Sequence, residues 1–125
     1  MVIELSNSPF TAIVITDASI KNNIATSISY THTFNSLLIK TLHHADFVTS
    51  TEAELFAIRC GINQASNQED ISKIIVITDS IHGAKKIFDP SLYPYQIHIV
   101  AILNKLHKFF VRNQNNLVEF WEYSS

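Results

Sequence analysis

Two apolar runs stand out along the chain, TAIVITD at residues 11–17 and KIIVITD at 73–79, each rich in β-branched residues and each closing on an aspartate. Runs of this length without polar alternation fit strands buried on both faces, as in the middle of a sheet. Residues 24–31 and 36–43 are further β-branched or apolar stretches, separated by His32 to Asn35, and predict an antiparallel meander with the first strand. From Thr51 the period changes. Glu54, Ile58, Gly61, Ile62 and Ala65 recur at three- and four-residue intervals, the spacing of one helical face. After the second run, residues 80–88 read as a short helix ended by Asp89-Pro90, a longer helix runs from near Pro94 to about Arg112, and residues 117–121 form a last strand. This order predicts one α/β domain over residues 1–125, with helices flanking a mixed sheet.

A helix crossing between the two apolar strands makes them parallel neighbours, with their carboxyl ends side by side. Side chains alternate along a strand, so Asp17 shares a face with Ile13 and Ile15, and Asp79 with Ile75 and Ile77. Carboxylates at matching ends of strands about 4.8 Å apart repel strongly unless a proton or a cation lies between them. Glu54, on the crossover helix's apolar stripe, should face the sheet as a third acid, where an unpaired carboxylate is costly. Hard oxygen ligands of this kind suit Mg²⁺ or Mn²⁺ and give no indication of zinc. Each acid also has an ordinary structural reading. Asp at a strand end is a routine turn or cap residue, and Thr51-x-x-Glu54 has capping-box spacing, although Thr49-x-x-Glu52 offers the same box and would leave Glu54 free.

Composition narrows the partners. The formal net charge of −2 rules out a strongly basic body, so any nucleic-acid site must be local. Lys105, Lys108 and Arg112 at helical spacing, with Ser19 and Ser80 beside the strand-end acids, are the candidate nucleic-acid contacts, although a basic helical stripe is more often a solvated face. Cys60 is alone, which excludes an intramolecular disulfide and fits a reducing, intracellular compartment. No stretch resembles a signal peptide or reaches the roughly 20 apolar residues of a membrane span. The six histidines show no ligand spacing, Trp121 reads as a packing residue, and Ile99, Ile102, Leu106, Phe109 and Phe110 read as core or as a dimer surface.

Three fragments together, Thr16-Asp17-Ala18-Ser19, Ala53-Glu54-Leu55-Phe56-Ala57 and Ile77-Thr78-Asp79-Ser80, resemble the ribonuclease H family. That family carries Asp-Gly-Ser after its first strand, Ala-Glu-Leu on its first helix and Thr-Asp-Ser after its fourth strand. The chain looks most like the ribonuclease H-type domains attached to retroelement reverse transcriptases. The resemblance implies a five-stranded sheet of order 3-2-1-4-5. It also implies two Mg²⁺ (or Mn²⁺) ions held by Asp17, Glu54 and Asp79, and cleavage of the RNA strand of an RNA/DNA hybrid. Family members place a fourth acid on a last helix, after a Trp-x-Pro-x-His segment. Here the sequence reads Trp121-Glu122-Tyr123-Ser124-Ser125, so the domain is expected to be truncated after its fifth strand, with apolar sheet surface left uncovered. A homodimer through that surface or the long helix would then be a natural consequence. The alternative, of another class, is an inactive ribonuclease H-like module that binds nucleic acid or dimerises. A transposase core or a proofreading exonuclease would need further acids later in the chain.

Overall fold

The two apolar runs lie next to each other in the sheet, parallel and in register from Thr11–Lys73 to Thr16–Thr78. The chain is described by a computed structural model over residues 10–22, 24–33, 39–46, 50–78 and 96–122. Its elements are β1 (Thr11–Lys21), β2 (Ile24–His32), β3 (Ile39–Asp46), α1 (Ser50–Ser66), β4 (Lys73–Thr78), α2 (Gln96–Arg112) and β5 (Leu117–Glu122). The strands form one mixed sheet in the order β3-β2-β1-β4-β5. β2 is antiparallel to both β1 and β3, and β4 is parallel to both β1 and β5. The short helix predicted over residues 80–88 lies outside the described residues.

β1 and β2 form a hairpin closed between Lys21 and Ile24, with Asn22 at φ 55°, a left-handed conformation that asparagine tolerates better than most residues. β3 spans Ile39–Asp46, three residues past the predicted end at 43, while the predicted start at 36 lies outside the described residues. Pairing with β2 sets its register, running from Thr31–Ile39 to Ile24–Asp46. An edge strand carrying His43, His44 and Asp46 has no apolar alternation to mark its end.

Strand parity divides the core in two. Ala12, Val14, Ile74 and Val76 face α1 and α2, packing with Leu55, Ile58, Ile62, Ala65, Ile99, Ile102, Leu106 and Phe109. Ile13, Ile75 and Ile77 lie on the opposite face, with Ile15 and Trp121 against them. Those three isoleucines are 0, 0 and 6% exposed, so the centre of that face is not the uncovered apolar surface expected from the sequence. Of the α2 residues read as core or dimer surface, Ile99, Ile102, Leu106 and Phe109 are buried and Phe110 is 40% exposed. It sits one residue, about 100°, around the helix from Phe109.

α1 approaches the sheet closely because β2 presents small polar side chains to it. Ser27 Oγ donates to the Ala53 carbonyl at 2.8 Å, and Gly61 sits over Val14 and Ser29 with no room for a Cβ. At the far end Arg112 ties the two helices together. Its guanidinium donates to the Ser66, Gln68 and Ile71 carbonyls at 2.7, 3.3 and 3.0 Å, and lies 5.1 Å from the Phe109 ring centroid. These bonds satisfy carbonyls at and just beyond the end of α1 that have no intrahelical donor. A lysine keeps the charge but loses the planar fork. Arg112→Lys is therefore expected to cost about 1–2 kcal/mol in urea unfolding, and an unchanged midpoint would show that the bonds contribute nothing.

Candidate active site

The paired part of β4 ends at Thr78, while β1 continues to Lys21. Beyond Thr16, β1 is hydrogen-bonded to β2 alone among the described residues, with residues 79–95 lying outside them. Crevices outside the carboxyl ends of parallel strands are the usual ligand positions of α/β sheets. Asp17 follows the last residue of the β1–β4 register on β1 and is exposed, with Oδ1 accepting the Ala18 N–H at 2.9 Å. Among the described residues no basic side chain forms an ion pair with Asp17.

Glu54 reaches the same end of the sheet from the helix layer. The bond from Ser27 fixes Ala53 over β2, and Ser27 pairs across the ladder with Ala18, the residue after Asp17. Ile58, Ile62 and Ala65 on the Glu54 stripe are buried as expected, and Glu54 itself is half-buried. α1 covers the Ala12 and Val14 face of β1, and Asp17 has the parity of Ile13 and Ile15.

Asp79 and Ser80 lie outside the described residues. Among the described residues no group of three His, Cys, Asp or Glu side chains comes together to hold a metal. Ser19 is exposed on β1, two residues after Asp17. Arg112, a candidate phosphate contact, is instead engaged with the carbonyls following α1, while Lys108 is exposed and Lys105 is half-buried between the helices. α1 begins at Ser50, so Thr51 is already helical and does not cap it through Glu54.

His98 is the functional-looking residue that sequence reasoning missed. Its Nδ1 contacts Arg59 Nη1 at 3.4 Å and its Nε2 contacts Glu52 Oε1 at 3.2 Å, with its ring edge-on to Phe56 at 5.6 Å. A neutral ring protonated on Nε2 satisfies both polar contacts, accepting from Arg59 and donating to Glu52. On α1, burial pushes the Cys60 thiol up from its ordinary pKa, and the neighbouring Arg59 charge partly offsets that. Glu119, one of two late carboxylates, is engaged by Lys73 at 3.6 Å and by Trp121 Nε1 at 3.2 Å.

No protein-family model matches the sequence, and no curated protein matches it. Solved structures do match the fold. RNase H1 from the halophilic archaeon Halobacterium salinarum superposes with a TM-score of 0.70 at 13% identity, over 90% of this chain and 85% of that one. The N-terminal RNase H domain of a Mycobacterium tuberculosis protein, solved as a maltose-binding-protein fusion, gives 0.72 at 12% identity, over 92% and 87%. LC11-RNase H1, solved in complex with an RNA/DNA hybrid, gives 0.63 at 13% identity, over 90% and 84%. The chain therefore has an RNase H-like α/β fold, a mixed sheet flanked by helices. No described helix is long and apolar enough to cross a membrane.

Proposed function

We propose that the chain is a ribonuclease H-type endonuclease that cleaves the RNA strand of RNA/DNA hybrids, with Asp17, Glu54 and Asp79 as ligands to two divalent metal ions. The observation that carries this reading is the parallel register of β1 and β4, which ends on Thr16–Thr78, the residue before an aspartate in the sequence in each case. The donor set fits Mg²⁺ or Mn²⁺: all three ligands are carboxylates, and Asp17 is exposed with one oxygen left over from its local hydrogen bond. The likeness to RNase H structures, one of them bound to a hybrid, supports the same substrate class. A retroelement origin, suggested by the motifs, belongs to the same proposal.

Ions bound there would supply an activated water and neutralise charge on the scissile phosphate. The protein's own part is positional. The Ala18 N–H fixes the Asp17 carboxylate, and the Ser27–Ala53 bond fixes the start of α1 and with it Glu54. Ser19 and Ser80 flank the strand-end acids in sequence, where their hydroxyls can donate to phosphate oxygens.

Calorimetric titration with Mg²⁺ and Mn²⁺ tests the site. Binding is expected in the parent and lost in Asp79→Asn; no binding in the parent would make the acids structural. A second reading, a non-catalytic homodimeric module, is favoured by Ile97, Val100 and Val111, which stand 77, 52 and 70% exposed on α2. It predicts a dimer by light scattering and no cleavage.

A further inference from the structure

α1 and α2 run side by side in the same direction, with Glu52 meeting His98 near their N-terminal ends and Arg112 meeting the Ser66 carbonyl at their C-terminal ends. The groove between them holds two clefts in series. The first, of about 300 Å³, is lined by Phe56, Arg59, Cys60, Asn63, Ala101 and Lys105. The second, of about 220 Å³, is reached past Lys105 and lies against Asn67, Lys108 and Arg112. Neither lining contains a carboxylate, on a chain whose net charge is −2. Acidic side chains are thus kept out of a groove in which cations are concentrated.

Those cations are not used up internally. Lys105 and Lys108 form no ion pair or hydrogen bond among the described residues. Arg59 makes one polar contact, through Nη1 to His98, which leaves most of its five donors available. Lys105 and Lys108 are one helical turn apart, about 5–6 Å between Cβ atoms, and Arg59 faces Lys105 across the first cleft. The stripe from Phe56 to Asn67 is about 16 Å long at 1.5 Å per residue. An elongated ligand with repeated anions matches this row better than a single small anion. An aromatic side chain at one end and asparagine amides along the wall suit bases that are not paired in a duplex.

We propose that the α1–α2 groove binds the phosphate backbone of a single nucleic-acid strand, with Arg59, Lys105 and Lys108 on successive phosphates and Phe56 against a base. This site shares no lining residue with Asp17 or Glu54 and does not depend on cleavage. The test is fluorescence anisotropy with a labelled oligothymidylate about 12 nucleotides long, within the range of single-strand site sizes, in EDTA so that no metal-dependent reaction intrudes. Thymidine monophosphate serves as the competitor. Three phosphate contacts predict a slope of log K against log salt of about −2, and Lys105→Gln with Lys108→Gln should weaken binding at least about tenfold and flatten the slope by more than 1. Both lysines lie at the rim of the groove, so thermal melting of the double variant should match the parent. Binding that survives the double substitution with its salt slope intact would overturn the proposal. So would absence of oligothymidylate binding at low salt, or monophosphate competing as well, mole for mole, as unlabelled oligomer.

Discussion

Gly61→Ala is expected to lower the melting temperature by roughly 10 °C, a large effect for one added methyl group. On helix propensity alone the change should stabilise α1, since alanine is favoured over glycine in a helix interior by about 1 kcal/mol. Packing opposes it. A Cβ at Gly61 would run into the Val14 side chain and come within 2.6 Å of Ser29 Oγ, both on strands at the centre of the fold. Val14 and Ser29 are 0 and 2% exposed, so neither side chain can swing out to solvent. Overpacking of this kind costs about 3 kcal/mol, which leaves a net loss of about 2 kcal/mol. Adding Val14→Ala should recover part of the loss, because the two substitutions share one volume and couple. A melting temperature equal to or above the parent's would mean that α1 sits farther from β1 and β2 than described.

Asp17→Asn is expected to reduce hybrid cleavage on the order of 10³-fold or more while leaving stability within about 0.5 kcal/mol of the parent. The asymmetry follows from where Asp17 stands. It is exposed, it has no ion-pair partner among the described residues, and its one hydrogen bond, from the Ala18 N–H, can be accepted equally by an asparagine carbonyl. Only the negative charge is lost, and that charge matters chiefly to a cation. Cleavage at the parent rate in the folded variant would remove Asp17 from the ligand set. A fall in stability matching the fall in rate would assign it a structural role.

Much of this could be read from residue order. The two IVITD runs announced adjacent central strands, and their parity put Ile13 with Ile15, Ile75 and Ile77 on one face, where they are found. The stripe of Ile58, Ile62 and Ala65 likewise identified the buried face of α1. The face of the sheet that α1 would cover was not legible, because β1 and β4 are apolar on both sides and either face could receive a helix. That choice decides from which side Glu54 approaches the carboxyl end of β1. The role of Arg112 was hidden for another reason. Its carbonyl partners lie 41 to 46 residues away in sequence, so helical spacing alone showed a basic stripe and nothing of its use. His98 was invisible in the same way, since Glu52 is 46 residues distant and Arg59 is 39.

The most direct test of the central claim is cleavage of an end-labelled RNA/DNA hybrid by the 125-residue chain in Mg²⁺, with EDTA as the blank. The proposal predicts metal-dependent cuts confined to the RNA strand, with 5′ phosphate ends, and none in EDTA. A folded chain that leaves the hybrid intact in both Mg²⁺ and Mn²⁺ would contradict it, and the fold would then serve binding or assembly.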